Sequence, residues 1–520
     1  MALTVAGYLV WMRFVQKDQP PPTATQTAGS GSGPVAAPNQ PLLTLPIGPR
    51  EASPAAEAAA PAQTLQLEAP RFVATFSSAC GGLTSWHLTD KRYEHDTTKG
   101  EFLPVREQLT VEDASGKQVP APAAELTNVP ACGAFEVNFV TGSTYVVPRT
   151  AVWKGEKLSP TEVRYTFAND QLEIVKDFTV VPEDYLVRMA LQVHVRVPEG
   201  QEAHEMLAVS SYAFQDPAEL KNGSSRIAAR AWSSATLRDD EIVTTDVAGV
   251  IESPRFEPAK GSKGPLRWTG FDHPYLLAGY SPQENERVTK QTSASNGTNG
   301  RPKGFMETDL LYPDQVLKHG ATLNKVVVAY LGPKNYDDLQ NADASAGFST
   351  GFDKVVDLGW FAFIGRPLLW LLQKFQEVVG NWGIAIILLT IVVKLLTLYW
   401  TTKSMRSMKQ MAALAPQMKA LQEKYADDKQ RQQAETMALY KQHGVNPVAG
   451  CLPMLLQMPV WIALYRMLAN AGELYRQPFI PGWISDLTAT DPYYVLPAIL
   501  FITMFLQTRL QPATGDSTQQ

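Results

Sequence analysis

Lys394 stands inside the apolar run 382–400 (WGIAIILLTIVVKLLTLYW), which contains no acidic residue to pair with it. Thr390, Thr397 and Thr401 fall four residues before it and three and seven after it, so a helix places all four on one face. The chemistry such a stripe offers is electrostatic, not covalent: a cation and a row of hydroxyls that can solvate a polar segment inside an apolar medium. At ~1.5 Å per residue the run reaches ~28 Å, close to the ~30 Å hydrocarbon thickness of a bilayer. A central lysine costs ~3 kcal/mol on insertion scales, while each Leu, Ile or Val returns ~0.3–0.6 kcal/mol. The run holds eleven of those residues, so the cation is tolerable. With the span centred near Ile391, Lys394 lies ~5 Å from the midplane and ~10 Å from the nearer interface. Two readings stand, a snorkelling anchor or a lysine lining a wet cavity, and the threonine stripe favours the cavity.

No other constellation suggests catalysis. The histidines (His87, His95, His194, His204, His273, His319 and His443) are scattered, and the chain has no CxxC, HExxH, phosphate-binding loop or dinucleotide fingerprint. No enzyme activity, cofactor or metal is expected. Asn222-Gly-Ser and Asn296-Gly-Thr match the glycosylation sequon, but Asn-Gly is also a turn signal.

The elements that must position Lys394 emerge from hydropathy. Mean hydropathy of -0.15 and net charge of -5 resemble a soluble protein only because a long polar region dilutes a few apolar segments. Mild acidity gives no footprint for sequence-specific nucleic acid. Residues 1–15 are apolar but short and interrupted by Arg13, and read as a signal anchor; 16–70, dense in Pro, Ala and Gln, read as a flexible linker. From 71 to 345 apolar residues alternate with polar ones in short runs, as at Val187, Met189, Leu191, Val193 and Val195 against Arg188, Gln192, His194 and Arg196. That period of two predicts a β-sandwich domain. Residues 355–379 read as an interfacial amphipathic helix broken near Pro367. Residues 382–520 read as a membrane core with spans at 382–400, 451–469 and 492–508.

Charge sets the orientation. The loop 402–447 carries eight Lys or Arg against four acids, whereas 472–491 has a single basic residue, Arg476. The positive-inside rule therefore places 402–447 in the cytoplasm and the β domain outside. Met405, Met408, Met411, Leu414, Met418 and Leu421, then Met437, Leu439 and Tyr440, recur at helical spacing and predict a helical hairpin with an exposed basic side. Arg466, near the outer end of its span, reads as a snorkelling residue. Cys80 and Cys132 share the outside domain; a bridge between them would stabilise by ~4 kcal/mol in the loop-entropy model, and two buried free thiols are the alternative.

The stretch 358–520 resembles the YidC/Oxa/Alb family of membrane protein insertases, on VGNWGIAIILLTIVVK (379–394), DDKQR (427–431), MALYKQHGVNPVAGCLPMLLQMPVWIALY (437–465) and WISDLTATDPYYVLP (483–497). Cys80-Gly81-Gly82 and YLGPK (330–334) carry a weaker similarity upstream. The resemblance implies a polytopic α-helical membrane protein of the bacterial inner membrane with a large periplasmic β-supersandwich domain. It implies an insertase without ATPase activity, whose partners are nascent membrane proteins, the ribosome, the Sec translocon and the lipid bilayer. It also implies a hydrophilic groove around one basic residue, an arginine in the family and Lys394 here, with Thr390 and Gln457 beside it. Thr503 and Gln507, four residues apart, are added as groove candidates from helical spacing. The family pattern has two further spans after 508, which this sequence does not encode. Two rival classes remain. A membrane-anchored β-sandwich that binds or senses a ligand outside would show a cleft of aromatic and carboxylate side chains. A transporter would show an internal repeat, and none is found.

Overall fold

Burial with a period of two builds the sheets. In Leu172–Val181 every second side chain is buried, and the strand pairs antiparallel with Leu186–Val195 from Leu172 opposite Val195 to Val181 opposite Leu186. These two lie within a nine-stranded sheet whose order is Glu241–Asp246, Ser233–Arg238, Leu266–Asp272, Leu276–Pro282, Thr322–Pro333, Leu186–Val195, Leu172–Val181, Glu162–Ala168 and Lys154–Ser159. A five-stranded sheet runs Arg255–Glu257, Thr289–Ala294, Phe305–Leu311, Leu207–Phe214 and Glu136–Phe139. Buried polar groups tie one sheet to the other: the hydroxyls of Thr269 and Thr308 lie 3.0 Å apart, and Lys290 Nζ donates to Thr236 Oγ1 at 2.7 Å. The structure is a computed structural model and describes residues 62–93, 100–113, 117–148, 151–217, 231–252, 255–257, 264–284, 287–297, 300–426, 428–444 and 448–510. The expected signal anchor at 1–15, most of the expected linker and the sequon at Asn222 lie outside these residues.

Two sequence expectations change here. The stretch read as linker contains a strand, Thr64–Glu68, paired along its length with Phe72–Ser77; it is only five residues long, and its single buried side chain, Leu67, gives too weak an alternation to stand out from Ala- and Gln-rich surroundings. With Gly82–Leu88 these strands make a three-stranded sheet. Trp86 fixes that sheet to the larger one: it is fully buried, stacks on Phe72 with ring centroids 3.9 Å apart, and donates from its indole nitrogen to the Leu331 carbonyl at 2.7 Å. Cys80 and Cys132 are joined by a disulfide with Cα atoms 5.8 Å apart.

The second change concerns the helices. Short helices α1 (Val247–Glu252) and α2 (Tyr336–Ala346) belong to the sheet region, and α2 buries Leu339, Ala342 and Ala346. Next comes α3 (Ala362–Val379), which buries Gly365, Leu369 and Leu372 and exposes Phe363, Trp370 and Val378 on its other side. Pro367 does not break α3. Near the helix start its missing N–H removes one intrahelical bond, and the buried face offsets that loss. Gly380, at φ 68, ends α3 in the left-handed conformation and turns the chain into α4 (Trp382–Ala413). Residues Trp382–Lys403 of α4 are long and apolar enough to cross a membrane. Beyond them lie α5 (Ala415–Lys424) and α6 (Lys429–Gln442), a helical pair in which Asp428 caps α6 by accepting the Arg431 N–H at 3.0 Å. The chain continues as α7 (Val448–Asn470) and α8 (Val495–Leu510).

Candidate substrate groove

Helices α4 and α7 pack together with their sequence numbers running in opposite directions. Thr401 of α4 meets Gln457 of α7, and Lys394, earlier in α4, meets Trp461, later in α7. Still earlier in α4, Ala385 and Leu389 are fully buried, as are Ala463 and Met467 of α7. Burial then gives way: Thr390, Lys394, Leu395 and Leu396 are exposed, while Thr397, Thr401 and Gln457 are half-buried. The pair is thus closed toward its β-domain end and opens along the half that carries the polar stripe.

The polar groups in that opening have defined roles. Thr390, Thr397 and Thr401 each donate to a carbonyl one turn back in their own helix, at 2.8, 2.9 and 2.9 Å. Their hydroxyl oxygens stay free to accept, and Thr401 Oγ1 accepts from Gln457 Nε2 at 2.8 Å. Lys394 Nζ lies 5.0 Å from the centre of the Trp461 ring. Among the described residues no carboxylate pairs with Lys394. The structure therefore brings Lys394 and Gln457 to one seam, with Thr390 exposed on α4 one turn before Lys394. It does not bring Thr503 and Gln507 there: the described side chains of α8 from Val495 to Arg509 are all exposed, and Thr503 Oγ1 donates to the carbonyls of Ile499 and Leu500 in its own helix. Spacing put these two on one face of α8 but carried no information on which helix that face meets.

At the closed end, the turn after α7 seats on the β domain. Gly472 packs on the Lys334 backbone so tightly that a Cβ would lie 2.7 Å from it. Glu473 is buried, and its Oε1 accepts from the Tyr336 N–H at 3.1 Å and from Gln373 Nε2 at 3.4 Å. Burial, reinforced by Asp337 and Asp338, pushes the Glu473 carboxyl up to about 7. Tyr475 stacks on Tyr275 with centroids 4.7 Å apart and lies 6.0 Å from both Tyr93 and His273. Arg466, expected to snorkel, pairs with Asp357 at 3.1 Å, and Asn470 Nδ2 donates to the Asp357 carbonyl at 3.0 Å. Sequence reading missed Trp461, Asp357 and Glu473 for one reason. Their partners lie in other elements, and no local spacing announces them.

The family model described as "YidC periplasmic domain" matches residues 131–371, and the one described as "60Kd inner membrane protein" matches 374–520. The membrane protein insertase YidC of Syntrophus aciditrophicus is 30% identical over 542 residues, covering 100% of this chain and 90% of that protein. The chain belongs to the YidC membrane protein insertase family. The YidC of Geobacter metallireducens is 31% identical over 519 residues, covering 99% of this chain and 88% of its own length. A solved active YidC insertase with its first transmembrane domain resolved aligns over 88% of this chain and 85% of that one, at 17% identity and a TM-score of 0.31. The boundary between the two family models falls inside α3, the helix that joins the sheets to α4.

Proposed function

We propose that this chain is a multi-pass protein of the bacterial inner membrane that receives nascent membrane proteins in the α4–α7 opening and releases them into lipid. The observation that carries the reading is the burial gradient along that seam, sealed at Ala385, Leu389, Ala463 and Met467 and open at Lys394. With 402–447 in the cytoplasm and 71–345 in the periplasm, the opening faces cytoplasm and lipid while its outer end is stoppered. A polar, often acidic, client segment enters beside Lys394, whose charge lowers the cost of removing that segment from water. The client's apolar segment moves along the exposed faces of α4 and α8 into lipid. The ribosome and the Sec translocon deliver clients, with the α5–α6 hairpin as the first contact. No step forms a covalent bond, and none of the chain's residues acts as a catalytic acid, base or nucleophile.

A photo-crosslinker at position 394 or 457 tests this reading. It is expected to capture a short membrane protein emerging from stalled ribosomes, and the lack of any such adduct removes the groove. Lys394→Glu is expected to impair clients with acidic outside tails more than neutral ones; equal impairment removes the charge step.

One observation speaks for the rival reading of a ligand-binding sandwich. A cavity of about 190 Å³ is lined by Tyr93, Phe102, Trp232, His273, Tyr475 and Glu101 among others. Yet Glu101 already accepts from Ser85 Oγ and from the N–H groups of Trp86, Phe102 and Leu103. Tyr475 in that lining belongs to the turn after α7. The cavity thus lies within the sheet region, with its carboxylate already bonded and the seated turn closing one side.

A further inference from the structure

The structure assigns Trp461 as the positioning residue for Lys394, an assignment that rests on the groove reading above and adds to it how the cation is held before a client arrives. The ammonium lies 5.0 Å from the indole ring centre, inside the ~6 Å range of a cation–π contact. Among the described residues a second polar contact crosses the seam, from Gln457 to Thr401, and Trp461 lies one helical turn beyond Gln457. The two crossings share the register of a single antiparallel helix pair, so the indole occupies the groove side of α7.

The kind of partner matters. A carboxylate in the seam would neutralise Lys394 and would itself pay desolvation in the apolar surroundings. An aromatic face steadies the cation and leaves its full charge in place. The attraction is modest, of order 0.5–2 kcal/mol, so an incoming carboxylate can draw the ammonium away. The seat is strong enough to point the charge and weak enough to yield it. Its absence would free the long lysine stem to swing toward the nearer interface, out of the client's path.

The test uses the full chain in liposomes and one single-span client in two forms, with two aspartates or two asparagines in its outside tail, inserted and scored by protease protection. The readout is the ratio of acidic-tail to neutral-tail insertion. Trp461→Leu is expected to lower it by roughly two- to thirtyfold, the range of a lost cation–π contact, and Trp461→Tyr to restore most of it. With Lys394→Gln already present, Trp461→Leu is expected to change the ratio no further. Equal losses for Leu and Tyr, an unchanged ratio for Leu, or the same loss in the Lys394→Gln background each overturn the assignment. Where the leucine variant does not fold, a fluorinated tryptophan at 461 keeps the shape and weakens the ring's negative face; it is expected to lower the ratio, and an unchanged ratio overturns the assignment. Lys394→Gln alone separates the two levels. If it leaves the ratio unchanged, the charge step itself fails; if it lowers the ratio and Trp461→Leu does not, only the role of Trp461 fails.

Discussion

Trp86 and Trp268 in the sheets are 0% exposed, whereas Trp360, Trp370 and Trp461 in the helical part are 83%, 59% and 53% exposed. The same side chain is placed by opposite rules in the two regions. The sheets bury their apolar faces on one another and add a polar layer that is hydrogen-bonded within the fold. The helices after Leu358 leave Ile384, Ile387, Leu395, Leu396, Phe501 and Phe505 uncovered. Apolar faces on this scale call for an apolar surrounding beyond the chain itself, which the proposed reading supplies as lipid. On the proposed reading this one chain folds against two solvents, and its polar groups mean different things in each. A buried polar group in the sheets needs a partner within the fold, while one in the helices, on the proposed reading, waits for a client.

The sharpest way to break this comparison is to remove one tryptophan from each region. Trp86→Ala deletes a buried ring, its stack on Phe72 and its bond to the Leu331 carbonyl, and is expected to cost about 3–5 kcal/mol in chemical unfolding of the sheets. Trp360→Ala is expected to leave that transition in place and to weaken association with lipid vesicles. Comparable unfolding costs for the two would mean that Trp360 is packed on protein, and the two-solvent account would fail.

The disulfide offers the next largest effect. Cys80 and Cys132 are 52 residues apart, and replacing both by serine is expected to cost about 4 kcal/mol in the loop-closure account. Amide exchange should rise across 76–88 and 132–139 and stay unchanged in α4 and α7. A rise in both regions would show that the sheets support the groove more directly than their separate cores imply.

Legibility in the sequence follows the same division. Strands such as Leu172–Val181 and Leu186–Val195 were readable because a half-buried strand must alternate, and the expected alternation matches the observed burial. Thr64–Glu68 was not readable, since five residues give too few periods. In the helices, length and apolar content located α4, and the stripe of Thr390, Lys394, Thr397 and Thr401 follows from helix geometry alone. What lies across the stripe does not follow. Trp461 for Lys394, Gln457 for Thr401 and Asp357 for Arg466 are set by how helices pack, and helical periodicity names only a face, never its neighbour. For Thr503 and Gln507 the spacing likewise names only a face of α8, and the described side chains of that helix are exposed.

Where the two regions touch, pH can sharpen the comparison. Glu473 has its carboxyl raised from 4.5 to about 7 by burial between α2, α3 and the turn after α7. Between those values the seated turn keeps a proton that the released turn has lost. The seat is therefore fully stable below about 4.5, weakens as pH rises toward 7, and levels off above it. The change amounts to about 3 kcal/mol. Exchange of the amides of Tyr336 and residues 471–476, corrected for intrinsic rate, should accelerate from pH 5 to 8 in the full chain. Glu473→Gln should flatten that profile, and a profile that keeps its slope would assign the titration to another group.

The smallest effect probes the groove itself. Gln457 Nε2 and Thr401 Oγ1 form a neutral hydrogen bond between helices, a kind of contact that in membranes averages ~0.6 kcal/mol and reaches ~1.7 kcal/mol. Gln457→Leu removes the donor and leaves Thr401 bonded to the Thr397 carbonyl, so no buried group is stranded. The expected loss of helix-pair stability is about 1 kcal/mol or less, read by a double-mutant cycle with Thr401→Val. The effect on clients should be larger than that figure suggests, because leucine also removes a polar group from the open half of the seam. If insertion falls no further than stability does, Gln457 serves the packing of α4 on α7, and the polar part of the groove contracts to Lys394 and the threonine hydroxyls.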